Sequence, residues 1–342
     1  MASKRAKSAE EGWTAVISDN GTARCGTLGS FATPTIAIPT VGGLVPHLTS
    51  DIWEQEGKYD NAVLCVPYEQ AAVFTHAPEG QDLHCCLNQN PKQVLLLVQM
   101  PKPTKTNLGE LMEISKLVES KLQPNLWVSP GDDINAYTGN NRCYLAVERT
   151  TAFGVKSPSG LACIVGKDER SALACLEKST SGNNGGVWVE VSSKSLALDL
   201  CAKLPGDKLR VVNGGTATPR QVLEYIAHGY DLVQTNYPQH LAKMGFASTF
   251  PIDLEEKNVY GSDTHDMRDS SLLVDHQPIL PTCQCFTCLH HTRAYLRHLL
   301  ETKEMLGETL LYAHNLYRLM ELVRVARIHL ANGTFEQWYE AM

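Results

Sequence analysis

Three cysteines and one histidine are the residues of this 342-residue chain best suited to chemistry. Cys283, Cys285 and Cys288 form a C-x-C-x-x-C cluster that Pro281 opens, and His314 follows at a distance. Three thiolates and one imidazole complete a tetrahedral Zn2+ shell, and a closed shell is structural because no position remains for a catalytic water. His290 and His291 lie nearer the cysteines and are rival fourth ligands. A ligand that near closes only a tiny loop. His314 instead staples the cysteine loop to the helix that follows, so it is the expected ligand. The eight other cysteines, among them Cys25, Cys143, Cys163 and Cys201, show no such spacing. Free thiols in that number suit a reducing compartment such as the cytoplasm, where they pack as small apolar residues.

The elements that must hold this cluster follow from periodicity. Between 293 and 331, Leu296, Leu299, Leu300, Leu306, Leu310, Leu311, Leu316, Leu319, Met320 and Val323 recur at helical spacing, which predicts one amphipathic run bearing His314. Upstream, short apolar runs at 62–66, 93–98, 161–165, 186–191 and 209–212 read as strands buried on both faces. Helical stretches at 108–122, 168–178, 192–203 and 219–229 alternate with them. A strand at 13–17, a turn over Ser18-Asp-Asn-Gly21 and a strand within 22–28 predict an opening hairpin. Alternating β and α at this length points to a mostly parallel sheet closed into a barrel. The expected division is a flexible start (1–12), a barrel (13–275) and a zinc-binding helical subdomain (276–342). The glycine-rich 182–186 reads as a turn, and the polar, acidic stretch 253–276 as an exposed connection into the metal module.

Composition sets limits on partners. At 43% apolar and 20% charged residues the usage is that of an ordinary globular protein. The net charge of −7 argues against nonspecific nucleic-acid binding by the whole surface. No apolar run is long enough to span a membrane, and residues 1–12, with Lys4, Arg5 and Lys7, have no hydrophobic stretch for a secretory signal. Arg293, Arg297, Lys303, Arg318, Arg324 and Arg327 slightly outnumber the acids near them, which a solvated helix face with i,i+4 pairs explains.

With the ligands placed, the C-terminal third resembles the tRNA-guanine transglycosylase family. The likeness runs through Cys283–Cys288, Thr292-Arg-Ala-Tyr-Leu-Arg-His-Leu299, Leu310-Leu-Tyr-Ala-His-Asn315 and Gly333-Thr-Phe335. That family sets its zinc ligands in this arrangement, with the histidine in the following helix just before an asparagine, which supports His314. Weaker likenesses cover 21–49 and the stretch 218–231, which looks like the family's penultimate helix leading into a barrel strand. Residues 40–205 match little. The resemblance implies an irregular (β/α)8 barrel of TIM type, one structural Zn2+ and a tRNA partner. Its implied reaction exchanges guanine at the wobble position of the anticodon for a modified base.

The catalytic parts implied by that resemblance are missing. The family's nucleophile is an aspartate three residues after a Gly-x-Asp, needed because C1′ of the ribose becomes oxocarbenium-like and requires an anion. Here Gly229-Tyr-Asp231 is followed at that position by Gln234, a neutral amide. The family's base-binding loop Asp-Ser-Gly-Gly-Phe-Gln has no counterpart between Cys65 and Lys102. Its glycine-rich loop is reduced to Gly185-Gly-Val-Trp-Val-Glu190. His240 and Lys243 stand where the family has anticodon-contacting arginines, and are the expected tRNA contacts. Asp231 is read as a strand aspartate holding backbone donors rather than as a substitute nucleophile. The pattern looks like a non-catalytic member of the family that forms a heterodimer with a catalytic paralogue, the zinc modules helping to build the interface. Two other readings stand beside it: an active transglycosylase with a rearranged site, and a stand-alone zinc-stapled RNA-binding protein. The family also allows an association with the mitochondrial exterior, which no segment here demonstrates.

Overall fold

A computed structural model of the chain describes residues 13–17, 22–49, 61–102, 107–132, 140–179, 184–256 and 261–342. The expected flexible start (1–12), the turn at 18–21 and the first residues of the 182–186 turn lie outside them. β1 (Trp13–Ile17), β2 (Arg24–Leu28) and β3 (Phe31–Thr33) form a small antiparallel sheet. The chain then builds a closed parallel barrel from β4 (Thr35–Pro39), β5 (Ala62–Pro67), β6 (Val94–Gln99), β7 (Leu126–Val128), β8 (Gly160–Gly166), β9 (Gly186–Val191), β10 (Leu209–Asn213) and β11 (Leu232–Gln234). Strand β11 pairs with β4 and closes the ring. Every residue of β8 is buried, as expected of barrel strands covered on both faces.

Between and around the strands lie α1 (Tyr68–Ala71), α2 (Leu83–Cys86), α3 (Leu108–Leu117), α4 (Asn140–Ala152), α5 (Glu169–Ser179), α6 (Lys194–Cys201), α7 (Pro219–Ala227) and α8 (Tyr237–Met244). The start of α7 is fixed locally. Thr218 and Gln221 form a reciprocal capping box, and Pro219 occupies the first turn, where no amide hydrogen is needed.

The floor of the barrel is tied by a buried ion pair. Arg24 of β2 donates from Nε and Nη2 to the two carboxylate oxygens of Asp231, at 2.8 and 2.7 Å. The backbone amide of Arg210 adds a third donor at 2.7 Å. Burial raises the Asp231 carboxyl above its ordinary range, opposed by Arg24 and Arg210. Asp231 therefore precedes β11 at the end opposite the mouth and holds the N-terminal sheet to the barrel.

After α8 come β12 (Phe246–Ser248) and β13 (Thr264–Asp266), an antiparallel pair. The stretch expected as an exposed connection is thus partly structural: β13 pairs with β12, and Met267 and Leu272 are buried. Four helices follow: α9 (Phe286–His290), α10 (Arg293–Glu301), α11 (Met305–Ala331) and α12 (Phe335–Ala341). The single run expected over 293–331 is broken. Lys303 adopts a left-handed φ of 57°, and the amide of Glu304 reaches back to Leu299 O at 2.9 Å. Gly307 then lets α11 approach α10, since a Cβ there would sit 3.1 Å from the Leu299 side chain. On the basic C-terminal face Arg297 pairs with Glu301 at the expected i,i+4 spacing and Arg324 with Glu321 at i,i+3, but Arg318 is not solvated: it is buried and bonds Glu256.

Candidate metal centre and barrel mouth

The cysteine loop reaches the metal position through local bonds. Cys285 caps α9, its sulfur accepting from the amide of Cys288 at 3.3 Å. Thr287 anchors the same turn to α11 by donating to Leu310 O at 2.7 Å. Into this loop α11 projects His314, whose Nδ1 lies 3.7, 3.4 and 3.4 Å from the sulfurs of Cys283, Cys285 and Cys288. All four ligand atoms fall within 4.8 Å of one another, and all four residues are buried.

These residues fit a tetrahedral metal ion. Metal–sulfur and metal–nitrogen bonds of about 2.3 and 2.0 Å put adjacent sulfur and nitrogen roughly 3.5 Å apart, close to the observed spacing. The tautomer also fits. Nε2 of His314 donates to Ser248 O at 3.0 Å, which leaves the Nδ1 lone pair facing the sulfurs. Sharing protons among these groups pulls them in opposite directions. The thiols of Cys285 and Cys288, then His314, hold Cys283 well below the ordinary thiol range, whereas burial, then Cys283 and Cys288, push Cys285 up. Burial lowers His314, but contacts with Cys283 and Cys288 outweigh it and push the imidazole up to about 10. One cation in place of those protons satisfies all four donors. The rival ligands are elsewhere: His290 is exposed and bonds Phe286 O at 2.9 Å, and His291 stacks on Tyr295 with centroids 5.3 Å apart.

The C-terminal ends of the barrel strands enclose a cavity of about 320 Å³ whose lining includes Gln99, Lys102, Cys163, Trp188, Glu190 and Gln234. This is where a barrel of this kind places its chemistry. Gln234 is 7% exposed, and its Oε1 has no hydrogen-bond partner among the described residues. Glu190 brings a carboxylate and accepts from Trp188 Nε1 at 3.4 Å. Cys163 is an inert thiol here, because burial, then Glu190, raises it well above the ordinary range.

One sequence expectation changes at the mouth. Gly185-Gly186 is not a loop beside Glu190: it opens β9 at the floor, where a Cβ on Gly185 would sit 1.9 Å from Pro158 O. Those glycines serve close backbone packing. His240 and Lys243 are both exposed on α8, the helix that follows Gln234. Sequence reasoning missed the partners that orient His314, namely Ser248 and the side chain of Asn315, because their contacts span 66 and 67 residues.

Residues 177–342 match the family model described as queuine tRNA-ribosyltransferase. Along most of its length the chain is similar to proteins named queuine tRNA-ribosyltransferase accessory subunit 2. The one from Culex quinquefasciatus is 25% identical over 92% of this chain and 85% of its own length. The one from Drosophila sechellia is 28% identical over 91% and 85%. A shorter stretch, 41% of this chain and 33% of the relative, is 34% identical to the Aedes aegypti protein. The expected likeness to the transglycosylase family is therefore found, and it extends beyond the C-terminal third. No helix among the described residues is long and apolar enough to cross a membrane.

Proposed function

We propose that this chain is the non-catalytic subunit of a heterodimeric queuine tRNA-ribosyltransferase. It supports the exchange of guanine for queuine at the wobble position of tRNA while a catalytic paralogue performs the chemistry. The observation that carries this reading is Gln234. It lines the barrel mouth at the end of β11, where the family resemblance calls for a carboxylate nucleophile, and it presents a neutral amide. Asp231 is no substitute, being held by Arg24 away from the mouth. The names of the relatives point the same way.

In this reading one Zn2+ per chain is held by Cys283, Cys285, Cys288 and His314, and its role is structural. Residues 13–275 act as the barrel and 276–342 as the metal-bearing subdomain packed on it. The subdomain offers a surface for pairing. Phe286 and Tyr295 are 40% and 39% exposed, Phe286 lies against His290 and Tyr295 against His291, and Leu289 and Met305 are exposed nearby in the chain. Clustered exposed apolar groups of this kind mark interfaces. His240 and Lys243 contact tRNA from α8. None of the ten cysteines among the described residues is paired in a disulfide, which supports a cytoplasmic setting, with attachment at the mitochondrial exterior as a peripheral variant of it.

The test mixes the purified chain with the catalytic paralogue. Co-elution, together with base exchange that needs both, is the expected result; separate elution or exchange indifferent to this chain overturns the proposal. Glu190 motivates a second reading, an active enzyme with a rearranged site, because it puts one carboxylate into the mouth. Incorporation of labelled guanine into tRNA by this chain alone would establish that alternative.

A further inference from the structure

We infer that Asn315 is a positioning residue for the metal centre and that it couples the centre to α8 at the barrel mouth. The inference rests on the reading of the Cys3His cluster as a metal site. Pairing of β12 with β13 uses alternate backbone groups: Gly245 O accepts from Met267 N at 3.0 Å, and Thr249 N donates to Asp263 O at 2.9 Å. In an antiparallel pair the backbone groups of the residues between them point the other way. Those of Phe246 and Ser248 meet α11.

Two consecutive residues of α11 receive them. Asn315 Oδ1 accepts from Ser248 N at 2.7 Å, and Asn315 Nδ2 donates to Phe246 O at 3.0 Å. His314 Nε2 donates to Ser248 O at 3.0 Å. The same Asn315 amide also reaches Pro238 O, in the first turn of α8, at 3.5 Å. Asn315 is 1% exposed and Ser248 3%, so water offers no replacement for these bonds. Ser248 is thereby held at its amide by Asn315, and its carbonyl fixes the imidazole. Removing the Asn315 side chain strands Ser248 N in a dry interior and takes from the part-buried Phe246 O its donor. The strand must then shift to find partners, and the carbonyl that keeps Nδ1 of His314 free for the metal shifts with it. Outer partners of this kind tune metal affinity through ligand orientation. Because α8 runs directly into β12, loosening the strand also loosens the helix that carries His240 and Lys243.

The experiment titrates the full-length metal-free chain with Co2+ and Zn2+ against a chromophoric chelator. It compares wild type, Asn315→Ala, Asn315→Asp and, as a metal-null control, Cys285→Ser. Asn315→Ala should bind roughly tenfold to a hundredfold more weakly with a changed Co2+ absorption spectrum. Amide exchange over 237–248 should rise, while β5 and β6 stay protected. Asn315→Asp, which keeps the acceptor for Ser248 N and loses the donor to Phe246 O, should fall between. A folded Asn315→Ala that binds as tightly as wild type, with an unchanged spectrum, overturns the inference and leaves the metal site standing. If the alanine variant does not fold, Asn315→Asp at wild-type affinity and exchange overturns it equally. Wild type that takes up no stoichiometric metal sinks the metal site and the coupling together.

Discussion

The Cys3His cluster and the barrel mouth are both buried polar sites on one fold, yet their side chains have different obligations. Around the cluster nearly every group has a second duty to the fold. Cys285 also caps α9, Thr287 ties the loop to α11, and His314 grips Ser248. In the mouth Gln234 Oε1 has no partner among the described residues, and Trp188 is packed within a buried strand. A group that supports the fold is costly to change, whereas one that serves only a ligand can be neutralised with little structural consequence. Structure and activity can therefore part company within a single barrel.

Withdrawing the metal should have the largest effect. Chelation or Cys285→Ser should remove stabilisation on the order of 10 kcal/mol from the module and unravel α9, with the barrel retained. Elemental analysis and near-UV circular dichroism check this, and a barrel that melts together with the module would break the contrast. Next comes the floor. Arg24→Met leaves the Asp231 carboxylate buried without its guanidinium and should cost about 3–5 kcal/mol in urea unfolding. The mouth should be quieter: Gln234→Asp should change stability by less than about 2 kcal/mol. It should also leave the chain unable to incorporate labelled guanine into tRNA by itself; restored exchange would show that only the nucleophile is missing.

The smallest effect concerns pH. Burial raises Glu256, but Arg318 and Thr282 outweigh it and hold the carboxyl below its ordinary 4.5. A carboxyl depressed in the folded state adds stability that is complete above 4.5 and lost as pH falls through the lowered value. Glu256→Gln should flatten the acid limb of the stability profile; an unchanged limb would mean that this pair contributes nothing to it.

The sequence made the Cys3His cluster legible because thiol spacing is a local signal, and it made the longer barrel strands legible because buried parallel strands read as apolar runs. Strand β7 escaped notice at three residues, too short to display a period. The break at Lys303 was hidden because apolar spacing continues across it, and a left-handed lysine carries no glycine-like mark. The Arg24–Asp231 clamp joins residues 207 apart in the chain, and the Asn315 contacts 67 apart, distances at which pattern reading has nothing to count.

Helix α11 has one more consequence. Its 27 residues make a rod of about 40 Å. Near its start Glu308 stands 3.3 Å from His47, at the middle His314 faces the sulfurs, and towards its far end Arg327 donates to Pro34 O at 2.8 Å, just ahead of β4. A stiff beam pinned at three heights behaves as a lever. Load applied at its exposed start, beside Met305, is delivered to the foot of the barrel without any intermediate having to bend.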